Sequence, residues 1–210
     1  MVNPTVTASP YNYTGSLKLT EGGADDTRDY YTGFFNYHGL FDGVSADDDD
    51  NQHNFDRNQD FSQLVIQVTG VGTGDKLVVN DTEIALDASV SNQNIEISNT
   101  DASPDKYTVV YDPATKTAQL TLFGMSMSNS QMRGMIDDLN FRISGDAVTS
   151  GNRTIQLVSA TTDTAAGGTV NIGATATVEV LGTNDAHTGG VSISGTATEN
   201  QTLTAVSTLA

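Results

Sequence analysis

From Gln63 to Val180 apolar and polar residues alternate in short runs, each closed by Gly, Asn, Asp or Thr. A period of two places every second side chain on the same face, so such runs fold as strands with one face buried and one wet. The alternation predicts strands at Ser16–Leu19, Gln63–Thr69, Lys76–Val79, Glu83–Leu86, Asn94–Ile97, Tyr107–Tyr111, Thr117–Leu122, Asp138–Arg142, Thr154–Ser159 and Ala174–Val180. Asn80-Asp81 separates two of them by two residues that tolerate positive φ, which predicts a tight hairpin. Asp112-Pro113-Ala114-Thr115 reads as a second turn, and Gly70-Val71-Gly72-Thr73-Gly74, with no helix after it, as a flexible one. One segment breaks the period. Ser128 followed by Gln131 has the form of a capping box, and Met132, Met135, Ile136 and Leu139 then share one helical face that serves as core filler. The helix is expected to lie across one end of a sandwich.

The charge is lopsided. Twenty-six acidic residues face 9 basic ones, for a formal net charge of −17 over 210 residues. A compact domain with that balance repels itself unless cations or salt offset it. No Lys/Arg cluster exists to meet phosphates, which argues against nucleic acid. Cysteine is absent, so disulfides and thiolate metal sites are excluded. No apolar run is long enough to span a bilayer, no signal peptide is evident, and Met1 leads into a polar segment that reads as the start of a piece of a longer protein.

The acidity concentrates between Glu21 and Phe61. That stretch holds ten aspartates and Glu21 against Arg28 and Arg57 alone, interleaved with Tyr30, Tyr31, Phe34, Phe35, Tyr37, Phe41, Phe55 and Phe61. Clustered carboxylates and amides suit a hard cation, which takes about six to eight oxygen ligands. Candidate ligands here are Glu21, Asp25, Asp26, the run Asp47-Asp48-Asp49-Asp50-Asn51, Asp56 and Asp60. The spacing is not that of an EF-hand, because no Asp start has Gly at its sixth position and Glu at its twelfth. Phe55 and Phe61 are expected to anchor the stretch in the core. Tyr30, Tyr31, Phe34, Phe35 and Tyr37 are too many in too short a span to face inward together, so some should line a surface pocket, with His38 among them. His38, His53 and His187 have no spacing suited to zinc. Asp137-Asp138 at the helix end is read as a cation ligand or as solvated, in preference to a catalytic pair. No nucleophile elbow is present, and the chain is not expected to be an enzyme.

Several segments resemble one family. Gly151-Asn152-Arg153-Thr154, then Asp163, Gly167-Gly168-Thr169, Thr177-Val178-Glu179-Val180 and Asn184-Asp185-Ala186 resemble the closing half of the cadherin-like and immunoglobulin-like repeats of giant repeats-in-toxin adhesins. Asp75 to Ile84 resembles the middle hairpin of the same repeat, and the helix from Ser128 to Asp137 matches as well. The resemblance covers residues 60–186; His187 stands where the linker usually has Pro. It implies an all-β Greek-key sandwich with one short helix and a long calcium-binding loop region. It implies several Ca²⁺ ions at the module ends and linkers, which adds Asp137, Asp163, Asn184 and Asp185 to the candidate ligands and places Glu21 near the first strand as another. It also implies export by type I secretion and a place at the bacterial cell surface.

The expected organisation is one module over residues 1–186 and, over 187–210, a linker with the start of a following repeat. The Glu21–Phe61 stretch reads as an insertion on the repeat. An open calcium position beside an aromatic wall could take a peptide's C-terminal carboxylate or a sugar's vicinal hydroxyls. The expected function is therefore adhesion: a monomeric module, flanked by repeats of the same chain, that binds a peptide or glycan on a host or neighbouring cell without inserting into a membrane. A repeat that calcium merely stiffens is the competing expectation.

Overall fold

A computed structural model describes residues 5–10, 17–20, 30–31, 40–47, 60–97, 104–145, 148–162, 168–182, 191–194, 199 and 204–207. The described elements are strands with a single short helix. In chain order they are β1 (Thr5–Pro10), β2 (Leu17–Thr20), β3 (Tyr30–Tyr31), β4 (Phe41–Asp47), β5 (Phe61–Thr69), β6 (Asp75–Val79), β7 (Thr82–Ala85), β8 (Val90–Ile95), β9 (Asp105–Asp112) and β10 (Thr117–Met127). There follow α1 (Asn129–Asp137), β11 (Asn140–Ile143), β12 (Gly151–Thr162), β13 (Thr169–Asn171), β14 (Thr175–Leu181), β15 (Val191–Ser194) and β16 (Thr204–Ser207).

The larger sheet runs β2-β14-β12-β5-β10-β9-β8, with β13 paired to β12. The smaller runs β3-β11-β6-β7, and β1 pairs with β4. Among the described strands every pairing is antiparallel except that of β2 with β14. One hydrophobic core joins the sheets: Leu64, Ile66 and Val68 of β5, Leu120 and Leu122 of β10, and Ile155 and Leu157 of β12 meet Leu77, Val79 and Phe141 of the smaller sheet, all sealed from solvent. The architecture is an all-β sandwich. Fully burying side chains of this size stabilises by about 1.5–3 kcal/mol each.

Local chemistry explains the edges of the elements. Asn80 and Asp81 have φ of 45° and 62°, so the β6–β7 hairpin is of the mirror-image type that matches strand twist. At the end of β9, Asp112 accepts from the Ala114 N–H at 2.9 Å and the Thr115 hydroxyl at 2.8 Å. Those two bonds hold its carboxyl below the usual carboxylate range, the Thr115 contribution being the larger. Both halves of the capping box form: Gln131 N–H donates to Ser128 Oγ at 3.4 Å, and Ser128 N–H to Gln131 Oε1 at 2.9 Å. Met132, Met135 and Ile136 point into the core, and Leu139 follows them.

Three expectations change. The strand after the helix begins at Asn140 instead of Asp138, because Asp138 caps the helix and its N–H bonds to the Gly134 carbonyl. Residues 41–47 form β4 within the stretch expected to be loop, and Leu40, Phe41 and Ala46 are buried there. Phe41 is therefore core, as Phe61 is, while Phe55 lies outside the described residues. The glycine-rich turn is clamped: Val71 is buried, its N–H bonds to the Lys116 carbonyl at 2.9 Å, and a Cβ on Gly74 (φ +78°) would strike the Ser144 carbonyl.

Beyond β14, β15 pairs with β16 through Val191–Ser207, Ser192–Val206, Ile193–Ala205 and Ser194–Thr204. Every residue of these two strands is exposed.

Candidate functional site

The acidic stretch meets the described fold at one end of the sandwich. Leu40 N–H bonds to the Leu139 carbonyl at 2.7 Å, just past the C-terminal end of α1. Val44 then lines an open depression together with Ser130, Arg133, Gly134 and Asp137. β4 therefore starts beside the C-terminal end of α1 and packs on that helix, and Asp47 is the last residue of the strand. The acidic sequence returns to the described fold at Asp60, whose Oδ2 accepts from Ser126 Oγ at 2.5 Å. Ser126 is two residues before the helix N-cap. Asp47 and Asp60 thus enclose the sequence that carries Asp48, Asp49, Asp50, Asn51 and Asp56.

These five lie outside the described residues, as do Glu21, Asp25, Asp26, Asp163, Asn184 and Asp185. So do Phe34, Phe35, Tyr37 and His38. Tyr30 and Tyr31 are placed by their backbone: they form β3 at the edge of the smaller sheet, with Tyr31 opposite Arg142 and Tyr30 opposite Ile143. The aromatic segment is thereby tied to the core through β11.

Asp137 ends α1 exposed to solvent, on the rim of an open depression of about 470 Å³. Arg133, one helical turn earlier, lines the same depression. A guanidinium in that place works against a metal ion at Asp137, so this carboxylate is a weaker ligand candidate than Asp47 or Asp60. Among the described residues no three acidic or histidine side chains gather as a metal site. The donor set proposed from sequence, carboxylates with the amides of Asn51 and Asn184, fits a hard oxygen-seeking cation by its chemistry.

The most elaborate polar constellation was not singled out as a site in the sequence. Asp75 opens β6 and Arg153 lies in β12; both are sealed from solvent. Arg153 Nε donates to Asp75 Oδ2 at 2.7 Å, and its Nη2 lies 3.4 Å from Oδ1. The remaining guanidinium donors reach the carbonyls of Thr149 at 2.6 Å and Gly151 at 3.0 Å. Gly72 N–H donates to Asp75 Oδ2 at 2.7 Å. A Cβ on Gly72 would lie 2.5 Å from Arg153 Nη2, so any larger residue here would displace the guanidinium from the pair. Burial pushes the Asp75 carboxyl above the ordinary carboxylate range, and the nearby Asp87 adds to this; the bonds from Arg153 and Gly72 and the arginine charge pull the other way. Asp87 itself takes the Gly74 N–H at 3.0 Å. The pairing of Asp75 with Arg153 could have been suspected from an arginine and an aspartate each set in an apolar strand.

The pair also reaches the exit of the sandwich. Ser150, beside Thr149, accepts from the Gly182 N–H at 2.9 Å, one residue past β14. The arrangement is one of fixed charge and fixed backbone, with no bound group required.

No helix among the described residues is long and apolar enough to cross a membrane. No protein family model, curated protein or solved structure matches the chain.

Proposed function

We propose that the chain is a calcium-dependent ligand-binding module of a bacterial surface adhesin, built on a Greek-key form of the sandwich, that holds a peptide by its free C-terminal carboxylate. It binds and does not catalyse. The observation that supports this reading is the anchoring of the acidic sequence at Asp47 and Asp60. Asp47 ends the strand that packs on α1, and Asp60 is bonded to Ser126 just before that helix, so both limits of the acidic run are fixed to the sandwich beside α1. Like charges this close in sequence repel one another without a cation, and a cation with an unfilled coordination position can accept an external carboxylate. Tyr30 and Tyr31, secured to β11, supply an aromatic segment tied to the same module.

The stiffening repeat remains the second reading, favoured by the way Ser150 fixes Gly182 at the module's exit. The two separate on one titration. Short peptides with a free C-terminus are added to the calcium-loaded chain and heat is measured, alongside the same peptides amidated. Binding of the free-acid peptides alone supports the ligand module. Absence of heat with every peptide and sugar tried leaves the stiffening repeat.

A further inference from the structure

The helix α1 has two faces of different character. Met132, Met135 and Ile136 are buried in the core. Ser130, Arg133, Gly134 and Asp137 recur at intervals of three and four residues, so they share the opposite, exposed face. Val44 of β4 joins them in bordering the depression of about 470 Å³. Hollows of roughly 300–1,000 Å³ are of the size that holds small ligands.

Two independent observations mark this hollow. The first is the state of Arg133. Arg142 is paired with Glu83 and Arg153 with Asp75, but the Arg133 guanidinium forms no hydrogen bond or ion pair among the described residues. Asp137, four residues on, stands in the order that suits a helical ion pair less well and does not engage it. An unpaired guanidinium is unexpected in a chain with 26 acidic residues against 9 basic ones.

The second is Gly134. Glycine is second only to proline as a poor residue for a helix interior. Packing does not call for it here, because a Cβ on Gly134 would meet no described atom within 4 Å. The glycine leaves the helix backbone bare beside Arg133, where a ligand can approach closely.

The guanidinium fork matches a planar carboxylate in two parallel hydrogen bonds. Ser130 adds a hydroxyl to the border and Val44 an apolar wall. The net charge of −17 repels a dianionic phosphate more strongly than a singly charged carboxylate. We propose that the depression between α1 and β4 is a recognition site for an acidic side chain, aspartate or glutamate, of a bound peptide, held by Arg133. It needs no cation and does not depend on capture of a C-terminal carboxylate.

The test uses peptides acetylated at the N-terminus and amidated at the C-terminus, so that one central glutamate carries the only carboxylate. They are added to the calcium-loaded chain while the NMR signals of the Arg133 Nε–H and the Gly134 amide are followed. Both signals should shift saturably. The same peptide with glutamine should bind about fivefold more weakly, the upper end of what a solvent-accessible charge pair supplies. Arg133→Gln should remove that preference, and Gly134→Leu should abolish binding by filling the hollow. Gly134→Ala should raise the melting temperature. Should Gly134→Leu fold poorly, Arg133→Gln, at an exposed position, carries the test. Silent signals, equal binding of the glutamine peptide, a preference retained in Arg133→Gln or a lowered melting temperature in Gly134→Ala would each overturn the site. Free-acid peptides without acidic side chains test the cation-held carboxylate separately. Binding of those alone would overturn this site and leave that reading; binding of the blocked glutamate peptide alone would do the reverse.

Discussion

Arg153 Nε and Asp75 Oδ2 lie 2.7 Å apart with both side chains closed off from water, and the pair joins residues 78 positions apart in the chain. A buried ion pair that loses one member leaves an uncompensated charge, at a cost of about 3–5 kcal/mol. Asp75→Asn and Arg153→Met should each destabilise by that order in urea denaturation. The double replacement Asp75→Leu/Arg153→Met should recover most of the loss, because the pair against an apolar substitute is near break-even. A double variant as unstable as the worse single would contradict this account.

The same carboxylate sets a pH dependence. Burial raises Asp75 above its ordinary value, so the folded state holds the proton more tightly than the unfolded chain. Its contribution to stability is complete below the unfolded pKa and declines as pH rises through the raised folded value. Measured from about pH 4 upward, stability of the parent chain should fall relative to Asp75→Leu/Arg153→Met. A relative rise over that range would reverse the sign.

Asp112 should behave in the opposite sense. Its carboxyl is held down by the Thr115 hydroxyl and the Ala114 N–H, so its contribution is present above the unfolded pKa and lost as pH falls through the lowered value. An NMR titration should place its midpoint below that of an ordinary aspartate, and Thr115→Val should move it upward. The two midpoints coinciding would remove Thr115 as the cause.

If cations offset the charge of −17, chelation should lower stability by on the order of 3 kcal/mol for each site held at about a hundredfold excess over its Kd. Thermal melts with and without chelator, at fixed ionic strength, measure this. A melting temperature indifferent to chelator would count against every calcium ligand proposed, Asp47 and Asp60 included.

The period-two pattern makes most of the larger sheet legible from sequence, since Gln63–Thr69 and Thr117–Leu122 each bury alternate residues and sit inside the observed β5 and β10. Local turn and cap chemistry does the same for Asn80-Asp81 and Ser128–Gln131, where the determining atoms are neighbours in the chain. β4 is not legible, because Asp42 and Gly43 imitate a turn, and tertiary burial of Leu40, Phe41 and Ala46 overrides that local signal. β1 has no place among the predicted strands and ends in Pro10, a residue that cannot donate to a ladder. Asp75 with Arg153 depends on register between distant strands, a quantity that no local pattern encodes. For the candidate site, composition marks the acidic and aromatic stretch, but only the fold shows that Asp47 and Asp60 reach the same pole as α1.

The parallel pairing of β2 with β14 has a mechanical consequence. Val178 lies opposite Leu17 and Leu181 opposite Thr20, so the chain enters β2 at one end of this pair and leaves β14 at the other. Tension applied across the sandwich from these two points would load all of the pair's hydrogen bonds together, in shear, instead of peeling them one at a time. A module wired in this way resists stretching along its length and would yield more readily to a force applied through its interior hairpins.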